Sequence, residues 1–141
     1  MPVPIQQSLT NHDLSTRFVG TSTVVASPTD NTETIIASLT IPNFGDLSVQ
    51  SGIRLHGWAA FTVGTSGTAA TLKLRETDVN GTTVASTGAV TAGVAATKLM
   101  SMDVLGADAA PGVKTYVLTL TVTAGAAAST VSAVHISATV I

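Results

Sequence analysis

The run 53–63 (IRLHGWAAFTV) narrows the fold more than any other stretch of this chain. Ile53, Leu55, Gly57, Ala59, Phe61 and Val63 fall on one side of a period of two, and Arg54, His56, Trp58, Ala60 and Thr62 on the other. Successive side chains of a strand point to opposite faces, so this alternation marks a half-buried β-strand. The same period recurs along the chain. In 33–41 (ETIIASLTI), Ile35, Ala37, Leu39 and Ile41 are assigned to one face and Thr34, Ile36, Ser38 and Thr40 to the other. In 70–77 (ATLKLRET), Ala70, Leu72 and Leu74 point inward and Thr71, Lys73, Arg75 and Thr77 outward. No stretch carries a helical i, i+3, i+4 apolar pattern that beats its strand pattern. The Ala-rich pieces 88–96 and 124–129 are weakened as helices by Gly93 and Gly125.

Further strands are expected at 14–26, 82–87, 97–105, 113–123 and 130–141. Turn chemistry separates them: Ser27-Pro28-Thr29-Asp30-Asn31, Gly64-Thr65-Ser66-Gly67 at hairpin length, Asn80-Gly81, and 106–112. About eight strands at regular spacing predict an all-β protein, an antiparallel β-sandwich of jelly-roll type. The expected organisation is a single sandwich domain over 14–141 preceded by an extended N-terminal arm over 1–13. In that arm Pro2 and Pro4 disfavour helix, while Val3, Ile5 and Leu9 are apolar anchors suited to strand addition on a neighbour. The plainer reading of 1–13 is a frayed terminus.

Composition adds one constraint. Charged residues make up 10% of the 141 residues, against roughly 25% in typical soluble chains. Thr, Ser, Ala and Gly replace them. A surface with so little charge is best explained if other protein covers much of it. The outer faces of 113–123 and 130–141 read Val117, Thr119, Thr121, Thr123 and Ala133, His135, Ser137, Thr139. Unguarded by charge or proline, they suggest that one of these strands lies against another subunit.

The residues argue against catalysis. There is no cysteine, so neither disulfide nor thiolate site arises. His12, in the arm, and His56 and His135, each mid-strand, show no metal-ligand spacing; His56 and His135 could meet across a sheet, but the expected reading is that each hydrogen-bonds on a strand face. No GxSxG elbow or phosphate loop occurs, and Glu33, Asp46, Glu76, Asp78 and Asp103 mostly fall in or near turns. No cofactor, metal or enzymatic activity is expected. A net charge of −2 without a basic block speaks against nucleic acid. No apolar run reaches the ~20 residues of a membrane helix, and MPVPIQQSLT lacks the regions of a signal peptide. Phe18, Phe61 and Tyr116 fall in the expected core. Trp58 instead shares the face of Arg54 and His56, a candidate contact patch.

The runs TETIIASLTIP, SGIRLHGWAAFTVGTSGTAATLKLRE, NGTTVAST and VKTYVLTLTVTAG…STVSAVHISATVI resemble the small jelly-roll virion proteins of tailed bacteriophages, of the head decoration or minor capsid type. The resemblance spans 33–141 and is one of texture. It implies a structural protein of the capsid surface, made in the host cytoplasm, that binds the major capsid protein and like subunits as a homotrimer. Partner contacts would then come from the arm (Pro2, Val3, Pro4, Ile5, Leu9) and from the face Arg54, His56 and Trp58. The alternative is a receptor- or glycan-binding module of a phage fibre or bacterial adhesin.

Overall fold

The alternating runs form strands in a computed structural model that describes residues 17–19, 31–41, 53–63, 69–91, 97–106, 113–123 and 129–140. The proposed arm, 1–13, lies outside the described residues. In chain order the strands are β1 (Arg17–Val19), β2 (Thr34–Ile41), β3 (Ile53–Thr62), β4 (Ala69–Glu76), β5 (Thr83–Ser86), β6 (Val90–Thr91), β7 (Thr97–Gly106), β8 (Lys114–Thr123) and β9 (Thr130–Val140). They build two antiparallel sheets. The first has the order β1-β9-β3-β7, and the second β2-β8-β4-β5, with β6 also paired to β4. β5 and β6 meet different parts of β4 and share one position, so eight strand positions result. Apart from the step from β4 to β5 and β6, successive strands change sheet. This is the jelly-roll sandwich expected from the sequence.

The inward residues interdigitate between the sheets. Phe61, Leu55, Ile53 and Ile136 from the first sheet meet Leu72, Leu74, Leu118, Leu120 and Tyr116 from the second, all essentially without solvent exposure. Each such side chain contributes about 1.5–3 kcal/mol by leaving water. Gly57 sits in this layer because nothing larger fits without displacement: a Cβ there would stand 3.0 Å from Leu118 Cδ1. Met100 and Met102 point inward from β7, as the alternation of 97–105 requires.

Several expectations are corrected. On β2 the inward residue is Ile36, fully buried, and Ile35 is 38% exposed. The ladder to β8 shifts register between Ile35 and Ala37. A β-bulge there inserts one residue and reverses the alternation upstream of it. The turn signal at 64–67 lies outside the described residues, and the strands that flank it, β3 and β4, belong to different sheets. The Asn80-Gly81 hairpin does form between β4 and β5, but the left-handed residue near the turn is Thr77, φ 68°. Gly81 is needed for space, because a Cβ on it would lie 1.6 Å from the Glu76 carbonyl oxygen. Asp78 orders the turn by accepting the Asn80 amide at 2.7 Å. The small-residue stretch after Gly88 contains β6. Of the strand expected over 14–26, the described part is β1. Finally, β8 and β9 are not edges: each lies inside a different sheet.

The bulge has a measurable signature. Ile36→Ala is expected to cost about 2–5 kcal/mol, while Ile35→Ala should change stability by less than about 1 kcal/mol. Urea unfolding of the two variants measures both, and equal losses would contradict the reversed alternation. By the same method Gly57→Val should cost about 1–3 kcal/mol through overpacking.

Candidate functional site

The outward face of the first sheet gathers the residues that composition singled out. β3 is paired over its whole length to β9 on one side and β7 on the other. Its even-numbered residues therefore face out between two neighbours. Trp58 lies opposite His135 of β9 and Ser101 of β7. The Trp58 and His135 rings stack, with centroids 6.1 Å apart and planes inclined by 18°. His56 is diagonal to His135, with ring centroids 6.2 Å apart. One residue row further, Arg54 reaches Asp103 of β7. Its Nε donates to Oδ1 at 2.9 Å and its Nη2 to Oδ2 at 2.5 Å.

The three face residues proposed from sequence are thus brought together. Arg54 is exposed, whereas His56 and Trp58 are half-buried. Sequence reasoning allowed His56 and His135 to meet across a sheet but favoured each hydrogen-bonding on a strand face. The fold instead makes them neighbours, because β9 inserts beside β3. Nothing local to residue 135 signals that pairing.

Electrostatically this face is quiet. Arg54 and Asp103 neutralise each other, and the Arg54 hydrogen bonds hold the Asp103 carboxyl below its usual range. Both side chains remain well exposed, at 59% and 43%, so the pair adds little to stability. Two open hollows flank it. One, of about 340 Å³, is lined by Arg54, Asp103, Val104 and Leu105. The other, of about 240 Å³, is lined by Arg54, His56, Asp103, Ser137 and Thr139. Among the described residues no three His, Asp or Glu side chains converge as a metal-ligand group. The face presents a stacked aromatic pair, hydroxyls, and a compensated ion pair.

The second sheet uses its outward face differently. Glu33, just before β2, accepts hydrogen bonds from Arg75 Nε at 2.5 Å, Arg75 Nη2 at 2.8 Å, Thr119 Oγ1 at 2.6 Å and Lys73 Nζ at 3.3 Å. Arg75 Nη1 also donates to the Gly81 carbonyl at 2.9 Å and to the Thr83 hydroxyl at 2.8 Å. One carboxylate thus ties the start of β2 to β4 and β8, and the guanidinium continues the tie to the β4–β5 turn. Thr119, expected on an open neutral face, is fully buried, and Val117 nearly so. The sequence reading missed this network because Glu33 looked like an ordinary carboxylate at a strand start. The Arg75 hydrogen bonds lower the Glu33 pKa from 4.5 to about 2, against the opposing effect of burial and with help from Thr119 and Lys73.

No family model matches the chain, and no curated protein matches it. Solved structures do match. The chain is similar to one in the structure of infectious bursal disease virus Gt strain, with a TM-score of 0.59 and 12% identity over 90% of this chain and 33% of that one. A chain of the IBDV viral particle gives a TM-score of 0.54 at 12% identity, over 89% of this chain and 30% of the other. The likeness is one of fold. This chain spans about a third of the length of those it matches.

The Glu33 network carries a pH dependence of defined sign. A carboxyl whose folded pKa is lowered contributes stability in full above its unfolded value and loses it as pH falls through the folded value. Stability should therefore drop between about pH 4.5 and about pH 2, by on the order of 2–3 kcal/mol for this group. Glu33→Gln should be less stable than the parent at pH 7 and show a flatter acid limb. Urea titrations at pH 7, 4.5 and 2.5 measure both, and an unchanged acid limb would show that Glu33 is not the group responsible.

Proposed function

We propose that this chain is a structural, non-catalytic virion protein, a decoration or cementing protein of a tailed-phage capsid. The observation that carries the reading is the outward face of the first sheet. Trp58 stacks on His135 beside an internally neutralised ion pair, on a chain with unusually little charge. Uncharged faces centred on an aromatic anchor suit protein contact. The fold likeness to chains of an icosahedral virus particle supports the same reading.

In this reading the protein is a homotrimer on the capsid surface, made in the host cytoplasm. It packs on like subunits and on the major capsid protein through Arg54, His56 and Trp58. The arm residues Pro2, Val3, Pro4, Ile5 and Leu9 reach across to a neighbour. It needs no cofactor, and neither nucleic acid nor a membrane is a partner.

Co-sedimentation with particles assembled from the major capsid protein of the same virus tests the reading. The wild-type chain should bind, and Trp58→Ala should weaken binding at least tenfold. Removal of 1–13 should weaken it further, while undiminished binding would reduce the arm to a frayed end. Light scattering of the dilute chain should return three chain masses, the unit from which any further pairing at higher concentration would start. A monomer that ignores the particles and binds glycan through Trp58 would replace this reading with a fibre or adhesin module.

A further inference from the structure

The four sheet edges are not alike. β1 is three residues long, and β2 is broken by its bulge. β5 and β6 are two short pieces of four and two residues. β7 is ten residues long and pairs with β3 without a register shift. Among the described residues nothing pairs with its other side. It contains no proline, and its charges are Lys98 and Asp103, the latter engaged by Arg54. A long, regular, weakly charged edge is a template for another strand.

The direction of its free backbone groups follows from the ladder. Ser132 Oγ donates to the Ala60 carbonyl at 3.1 Å, so that carbonyl faces β9. Amide and carbonyl of one residue point to the same side of an antiparallel strand, and the side alternates along it. The odd residues of β3 therefore bond to β7, where their partners are residues 98, 100, 102, 104 and 106. This leaves the amides and carbonyls of Thr97, Leu99, Ser101, Asp103 and Leu105 facing the free edge. The side chains of this set lie on the outward face, and its two leucines are 71% and 66% exposed.

We infer that β7 is a two-fold pairing edge whose occupant is β7 of a second copy, antiparallel, with Met102 on the axis. In that register Leu99 of each copy lies opposite Leu105 of the other, and Ser101 opposite Asp103. The neighbouring registers are worse. Centring on Ser101 sets Leu99 against Asp103, and centring on Asp103 sets two carboxylates against each other, which is unfavourable. The Met102 register covers both exposed leucines and pairs the free amides and carbonyls of Leu99, Ser101, Asp103 and Leu105, joining two first sheets into one. The inference rests on the edge alone. A chain that pairs through β7 yet ignores capsids would keep it and sink the virion reading. A chain that binds capsids without pairing would do the reverse.

Sedimentation of the full chain up to about 0.5 mM, together with cysteine cross-linking, tests it. The wild-type assembly should have at least twice the mass of the Leu99→Lys/Leu105→Lys double variant. Both positions are exposed, so the variant should keep its circular dichroism and unfolding midpoint. The chain has no cysteine of its own. An oxidised mixture of L99C and L105C single variants should form intermolecular disulfides, because paired Cα atoms about 5.5 Å apart permit them. L99C alone should not cross-link, since its copies would stand about 20 Å apart, six residues along the strand. Equal masses for wild type and double variant, no cross-link in the mixture, or efficient cross-linking of L99C alone would each overturn the proposal.

Discussion

The outward face of the first sheet depends on the pleat of β3. It is paired on both sides, so its odd residues are committed to the core and its even residues to the surface. Phe61, Ala59, Gly57 and Leu55 lock it against the second sheet. That packing fixes the height and spacing at which Trp58, His56 and Arg54 are displayed. The aromatic pair is placed the same way: its two members stand on adjacent paired strands rather than on loops. A one-residue slip of β3 would exchange core for surface along its whole length.

The few charges are spent unevenly. On the second sheet Glu33, Arg75 and Lys73 are drawn into one partly buried network that ties β2 to the sheet and braces a turn. On the first sheet the Arg54–Asp103 pair cancels itself in solvent. One face therefore uses ionic contacts to hold its own chain, and the other leaves its surface to neutral side chains. The low overall charge of the sequence conceals this division, which becomes visible only when the strands are assigned to sheets.

The strands themselves were legible, because inward apolar residues at a period of two survive any choice of partner. The runs at 53–63, 70–77 and 97–105 fall within a residue or so of β3, β4 and β7. Ile35 and Ile36 misled because adjacent identical residues carry no phase, and a bulge needs no special side chain. Sheet membership was not legible at all. Gly64 and Gly67 look like hairpin residues, yet the strands on either side of them belong to different sheets. The meeting of Trp58 with His135 depends on that membership, and so does the burial of Thr119 under Glu33. The residues of the candidate face were named correctly as a strand face, but their partners were long-range and therefore silent. The arm at 1–13 falls outside the described residues and stays a matter of sequence.

The placement of β8 and β9 has a consequence for synthesis. β2 pairs only with β8 and β1 only with β9 among the described strands, and both partners come late in the sequence. While the ribosome is still short of residue 114, each sheet has a gap along its midline, and the apolar faces of β3 and β4 have no complete layer to meet. Closure must wait for the two late strands to enter slots between partners made long before. Such non-local pairing is slow and leaves sticky surface exposed in the meantime. Termination before residue 114 would therefore open both sheets along their midlines, and loss of β9 alone would still open the first sheet from within rather than trim a margin.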